Sequence, residues 1–511
     1  MSTSLQNTRL RFVCLALLLS QVYCFANVQL SPVFSDHMVL QRNADIHIWG
    51  TTDASESVTV SFAGTSITTQ SINHTWEVQF PAMQAGGPFT LRIEGSANTL
   101  SVNDILIGDV WLCAGQSNMR LRVNQAFDAR LAVLSASNNQ LRLADWEGRL
   151  EPINKKYTLA LLQQLNSSNY YSPAPWRTAD SASVNTFSAV GYYFGNSLQQ
   201  ALHIPIGLIN NSIGGVPVET YIPLQALAAD PVLHSLSENN WLTDSLYPSW
   251  TAERVNQNLQ AWKDEGSKLP MPGHPYQPGY LFDAGIAPLQ KLAIKGVIWY
   301  QGESNATYTG DSTAMRSELN KLKLQLLVNS WRKHFKDPQL PFIMIQLPAI
   351  NRDWELYREV QLELAKEMHD ISLVVTLDLG NANDVHPRDK KTVGERAAIA
   401  ALGNVYHKNM VPTGPLYNSY RVIDDKIIVS FSNTGNGLST KDGQSVRRIL
   451  ICGEDKLFYP ATAVFKKNEL WLSSVKVLRP VAARYAWEDN PYDANLSNSE
   501  GLPASPFRTD K

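Results

Sequence analysis

Between residue 27 and about residue 102, short segments alternate apolar and polar positions: Val58-Thr59-Val60-Ser61-Phe62, Trp76–Phe80 and Phe89–Ile93. Gly, Asn and Ser turns separate them. A period of two predicts half-buried strands, here a small β-sandwich. From about 103 the period changes. Apolar runs at Ile105–Cys113, Ile206–Asn210, Ile294–Tyr300, Phe342–Leu347 and Leu373–Leu379 alternate with helical stretches. One helix, Phe187–Leu202, repeats Phe187, Val190, Phe194 and Leu198; another, Ser312–Phe335, repeats Met315, Leu319, Leu322 and Leu326. Unbroken apolar strands between such helices predict an α/β class with a parallel sheet covered on both faces. Ligands then bind beyond the carboxyl ends of the strands. After about 415 the two-residue alternation returns at Lys426–Phe431, Arg448–Cys452, Ala463–Phe465 and Glu469–Ser473. The expected division is therefore 27–102 (N-terminal β), 103–414 (α/β) and 415–511 (C-terminal β). Pro223 to about Gln290, rich in Pro, Trp and Asn, fits no element and is expected to wall the site. His234 within it carries no motif and reads as a structural histidine.

At 511 residues, 44% hydrophobic and 18% charged, the chain has the composition of a multi-domain globular protein. A net charge of -2 gives no reason to expect nucleic acid or an anionic membrane as partner. Arg9 and Arg11 precede an apolar run, Phe12–Leu19, with small residues near Ala26. This pattern predicts a secretory signal peptide over 1–26, and so a secreted or periplasmic protein. The run is too short to span a bilayer, and no later stretch is long and apolar enough. The mature chain keeps only Cys113 and Cys452, which makes no disulfide framework. No H-x-x-x-H or C-x-x-C pairing occurs, so neither metal nor cofactor is expected.

Chemistry concentrates at strand ends. Gly108–Met119 reads GDVWLCAGQSNM: a strand, a small-residue turn, then Ser117 at a helix start. Such a turn exposes a hydroxyl, and the first N–H groups and dipole of the helix favour a developing oxyanion. Ser212-Ile213-Gly214-Gly215, Trp299–Asn305 (WYQGESN) and Asp384-Val385-His386-Pro387 follow later strands. Singly, these are a turn, a loop amide and a surface histidine. Together on one sheet edge they make the inventory of an acyl-transfer site: nucleophile Ser117, base His386, acid Asp384, and oxyanion donors Gly215 or Gly214 and Gln301.

GQSNM, SIGGVPVE, WYQGESN and NDVHP, in this order, resemble the sialate O-acetylesterase family within the SGNH hydrolases. VFSDHMVLQR, FSAVGYYFG, RYAWEDNP and EGLPASPFRTD match its pattern too, so the resemblance spans nearly all the mature chain. It implies a flavodoxin-like hydrolase domain and cofactor-free removal of acetyl groups from sugars. It matches Ser117 to the nucleophile, His386 to the base and Gly215 (or Gly214) to the glycine donor; Gln301 falls where SGNH enzymes at large have Asn. One position departs from the wider superfamily: the acid expected three residues before the histidine is Asn383, and Asp384 lies two before. Asp384 is the expected partner, with Asp378 and Glu303 as fallbacks; Glu303 alternatively braces the Gln301 loop. The expected substrate is an O-acetylated sugar or oligosaccharide. A sialic acid carboxylate calls for an arginine, and Arg120 and Arg122 follow the nucleophile, although solvent is their expected surrounding. Acetylated plant polysaccharide (xyloglucan or xylan) is the alternative substrate. The alternative class, a non-catalytic carbohydrate-binding protein on a hydrolase scaffold, predicts a missing nucleophile or base, and both are present.

Overall fold

A computed structural model describes residues 27–150, 152, 155–172, 174–266, 270–306 and 313–510, with side chains from 316 onward in the last stretch. The expected signal peptide lies outside the described residues.

The organising strand is β1, Thr99–Gly115. Its first half pairs antiparallel with Gly86–Glu94 and parallel with Val39–Gln41. Its second half is the centre of a parallel sheet. The division expected at 102/103 thus falls inside one continuous strand. The other strands of that sheet are β2 (Ser137–Asp145), β3 (Arg177–Asp180), β4 (Ile206–Asn210), β5 (Gly296–Tyr300), β6 (Phe342–Ile345) and β7 (Ile371–Val374). Their spatial order is β3-β2-β4-β1-β5-β6-β7, with only β3 antiparallel. The strand expected at Leu373–Leu379 stops at Val374, and Leu377–Leu379 forms a tight helical turn.

Alternation along β1 settles which helices cover which face. Trp111 and Cys113 project to one side, where Trp111 meets Phe194 edge-on and a side chain at Gly191 would touch the Cys113 sulfur. Trp299, level with Ala114, projects to the other side against Trp331. Besides the single turn α1 (Ser117–Arg120), the long helices that cover the sheet are α2 (Ala189–Leu202), α3 (Thr313–His334), α4 (Glu355–Glu367) and α5 (Lys390–Asn404). α2 and α5 pack together on the first face, α3 and α4 on the second. Ser188 caps α2, accepting the Gly191 N–H at 3.1 Å.

The buried stripe of α3 is not the expected one. Leu319, Leu322 and Leu326 are only partly buried, while Lys323, Leu324, Leu327, Val328 and Trp331 face inward. Lys323 can do so because its ammonium meets Glu219 at 2.5 Å and the Leu246 carbonyl at 2.6 Å. The C-terminal β sheets dock on the β6–α4 side. Arg358, fully buried in α4, donates to the carbonyls of Pro348, Glu488 and Asp489, and Arg508 pairs with Glu359. The His234 imidazole makes a local contact with the Pro231 carbonyl. Cys113 and Cys452 are buried free thiols. Among the described residues no helix is long and apolar enough to cross a membrane.

Candidate active site

β1 ends at Gly115, whose φ of 135° and a would-be Cβ 2.2 Å from the Tyr300 oxygen admit no side chain. The chain turns there and Ser117 begins α1. Gln116 ties the turn to the loop after β5: its N–H donates to Tyr300 O at 3.0 Å, and its Oε1 accepts from Gly302 and Ser304 at 3.4 and 3.3 Å. The neighbours β4 and β5 carry the chain away on opposite sides of β1, which makes this the switch point of the sheet. α1 has four residues, so the expected dipole reduces to the first-turn N–H groups.

Ser117, Gly214, Asp384 and His386 line one open cavity of about 920 Å³. Arg120, Arg122 and Arg388 line it too, so the first two border the cleft and not merely solvent. Arg122 pairs with Glu147, and Arg388 Nε donates to the Gln125 carbonyl at 2.7 Å.

Asp384 faces the expected ring nitrogen of His386 but stands off it. Oδ1 lies 3.9 Å from Nδ1, beyond hydrogen-bond reach, and accepts the backbone N–H of His386 at 2.8 Å. The short loop sets this geometry: two residues of separation favour the local turn bond over the ring. Burial, more than any other influence, holds the imidazolium below its usual pKa; Lys390 adds to this and Asp384 opposes it. Both fallback acids are engaged with other side chains. Asp378 receives both terminal nitrogens of Arg396 at 2.7 Å and also Lys441. Glu303 accepts from Asn118, the residue after the serine.

The two glycines differ. A Cβ on Gly214 would lie 3.9 Å from that of Ser117, which puts this backbone beside the serine. The Gly214 carbonyl accepts from the Tyr276 hydroxyl at 3.0 Å. A trans peptide therefore aims the Gly215 N–H away from Tyr276. Gly215 has φ 69°, and a Cβ there would sit 2.2 Å from the same hydroxyl. Tyr276 is fixed in turn by His274, whose Nδ1 accepts the Tyr276 N–H at 3.0 Å while Nε2 meets Asn258 Oδ1 at 3.1 Å. Burial pushes His274 down to about 3, so it is neutral and Nε2 carries the proton.

Gln301 is the expectation that the structure corrects. It is fully buried, and its amide nitrogen donates to Val216 O at 3.2 Å and Asn305 Oδ1 at 2.7 Å. A carboxamide has two N–H groups, so none is left for an oxyanion. Sequence reasoning also passed over Tyr276, His274, Asn118 and Lys390. The carboxamide of Asn118 is held from every side: Nδ2 donates to Glu303 and to Val385 O at 2.8 Å, and Oδ1 accepts from Lys390 at 2.6 Å. Lys390 opens α5, fully buried, with its ammonium 5.1 Å from the Tyr300 ring centre. Burial lowers it to about 7 and raises Glu303 to about 7.

Residues 258–409 match the family described as carbohydrate esterase, sialic acid-specific acetylesterase. The crystal structure of a carbohydrate acetylesterase from Xanthomonas citri is 31% identical, covering 95% of this chain and all (100%) of that one, with a TM-score of 0.77. The chain belongs to this carbohydrate esterase family. Sialate O-acetylesterases of Rattus norvegicus (28% identical, 92% of each chain) and Homo sapiens (27%, 93% of this chain and 91% of that one) are similar over the same extent. The matched esterase segment holds Tyr276, Gln301, His386 and Lys390, whereas Ser117 and Gly214 precede it. Only the folding of β1 and β4 beside that segment brings the two halves of the cleft together.

Proposed function

We propose that this chain is an exported serine esterase that removes O-acetyl groups from sugars, with sialic acid as the favoured class of substrate. The observation that carries the reading is the shared cavity of Ser117, Gly214, Asp384 and His386 at the sheet's switch point. Strand order agrees with it: setting aside β2 and β3 at the edge, the sequence β4-β1-β5-β6-β7 has the 2-1-3-4-5 order of flavodoxin-like sheets. That order supports an SGNH-type hydrolase domain.

The reaction follows from the placement. Asp384 faces Nδ1 of His386, which leaves Nε2 to accept the Ser117 proton as Oγ attacks the acetyl carbon. The tetrahedral oxyanion receives the Gly215 N–H, which the Tyr276–Gly214 bond turns away from Tyr276, together with the N–H groups of Ser117 and Asn118 that open α1; those of Met119 and Arg120 go to the Gln116 carbonyl. Collapse breaks the bond to the sugar oxygen, which leaves with the proton from His386. Water then gives its proton to His386 and attacks the acetyl-serine. Acetate leaves, and the proton returns to Ser117. The depressed imidazole keeps the base free near neutral pH. Asp384 needs to close by about 1 Å to bond the imidazolium directly.

Arg120, Arg122 and Arg388 around the cleft suit a sugar that carries a carboxylate, which favours sialic acid over neutral polysaccharide. Two experiments test the reading. Ser117→Ala should abolish acetate release from p-nitrophenyl acetate, and undiminished turnover would end it. Wild-type enzyme should release acetate faster from O-acetylated sialic acid than from acetylated xyloglucan; the reverse order would transfer the assignment to wall polysaccharide. Export rests on the segment before Asn27, and the amino-terminal sequence of the protein recovered outside the cytoplasm should begin there.

A further inference from the structure

We infer that Asn118, gripped between Lys390 and Glu303, is a positioning residue that fixes the spacing between Ser117 and His386. The inference rests on the esterase reading above. Asn118 sits one residue after the serine, and its Nδ2 donates to the carbonyl of Val385, one residue before the histidine. This bond joins the turn after β1 directly to the loop before α5. A free carboxamide could rotate and release Val385. Here rotation is blocked at both ends, since Lys390 donates to the oxygen and Glu303 accepts from the nitrogen. All three side chains are buried, so no water substitutes for a lost partner without rearrangement.

The same trio has an electrostatic arm. Lys390 is among the charges that hold His386 below its usual pKa, alongside Arg352 and against Asp384. Lys390 itself faces Glu303, Asp384 and Asp389. A lysine required only for packing would leave the histidine's titration where it is. One that both orients Asn118 and faces the base affects spacing and basicity together.

The test uses the full-length enzyme. Asn118→Leu and Lys390→Met are each expected to lower kcat at least tenfold with KM within about twofold, since geometry of reaction and not binding is disturbed. The double variant should be no worse than the poorer single variant, because both changes break one tie. In Lys390→Met the acidic limb of the kcat/KM profile should also move to higher pH, while Asn118→Leu leaves it in place. Glu303→Gln keeps an acceptor for Asn118 and an isosteric side chain. It serves as the variant that folds if the others do not, and it should retain activity within a few-fold. Additive losses, or an unmoved acidic limb in Lys390→Met, would overturn the inference. Ser117→Ala separates the levels. If it is inactive while Asn118→Leu and Lys390→Met keep full kcat, the esterase reading stands and the positioning role falls. If Ser117→Ala is active, the reading beneath it falls.

Discussion

Gly215→Ala, measured alone and with Tyr276→Phe, tests the oxyanion side of the cleft most directly. Two costs arise from the single change. The backbone at φ 69° disfavours any L side chain, by about 1–2 kcal/mol. The new Cβ would also lie 2.2 Å from the Tyr276 hydroxyl, so that hydroxyl must move and give up its 3.0 Å bond to Gly214, worth about 1 kcal/mol. The expected loss of stability is about 2–3 kcal/mol. If the Gly214–Gly215 peptide turns as the bond breaks, its N–H leaves the oxyanion, and kcat falls by about a hundredfold for roughly 3 kcal/mol of barrier. Tyr276→Phe removes the obstructing atom. The next contacts, Tyr276 Cζ at 3.2 Å and Trp250 at 3.3 Å, are tight but not overlapping. In that background Gly215→Ala should cost only the backbone conformation, about 1–2 kcal/mol. Urea unfolding and p-nitrophenyl acetate kinetics on all four proteins give the coupling, expected near 1 kcal/mol in stability. A strictly additive cycle, or Gly215→Ala at full activity and stability, would refute the placement of this peptide.

Asp384→Asn should lower kcat/KM at least about tenfold, whereas Asp378→Asn, which disturbs the Arg396 and Lys441 pairs, should lower the unfolding midpoint and leave kcat/KM within about twofold; the opposite pattern would make Asp378 the acid. The acidic limb of kcat/KM should lie below the ordinary histidine value of 6.5, because burial and Lys390 disfavour the imidazolium. His274 is held down to about 3, so between 6.5 and 3 the unfolded chain binds a proton that the folded one refuses. Stability should therefore fall as pH drops through that window, and His274→Gln should flatten the slope in urea titrations at a series of pH values. Lys323→Met strands Glu219 in the interior and should cost about 3–5 kcal/mol by denaturant unfolding, with Lys323→Met/Glu219→Leu recovering much of it.

The central sheet was legible because a strand buried on both faces is apolar at nearly every position, and the second half of β1 with β4, β5 and β6 reads as such runs. β2 was not. Its polar start, Ser137-Asn138-Asn139-Gln140, resembles a loop, and its buried Arg142 is tolerated because Asp104, far back in sequence, takes the guanidinium at 2.7 and 3.2 Å while the Asn139 and His37 carbonyls accept from it at 2.8 and 3.2 Å. The face of α3 was misread for the same reason: hydrophobic spacing excludes a lysine from the core unless its carboxylate partner is known. The continuity of β1 through the expected 102/103 division is hidden in the sequence because a change of period marks where partners change, and a strand can change partners without ending.

The site divides along a similar line. The proposed nucleophile and base must be reached by substrate, so they sit on turns that glycine, proline and short polar runs announce; Ser117, Gly214 and His386, which line one cavity, are visible in this way. The groups that aim them carry no such mark. Lys390 and Lys391 are consecutive and chemically identical, and only packing determines that the first is fully buried on Asn118. Tyr276 lies in a segment without periodicity, and its hydroxyl gains meaning only from the carbonyl of Gly214, sixty-two positions away. Gln301 shows the converse error. A side-chain amide after a strand looks like an available donor until its two hydrogens are found on Val216 and Asn305. Reading a site from such a chain thus gathers into one cavity the groups whose proposed role demands exposure. It fails for groups whose role demands saturation, because a saturated polar side chain is defined by partners that sequence distance conceals.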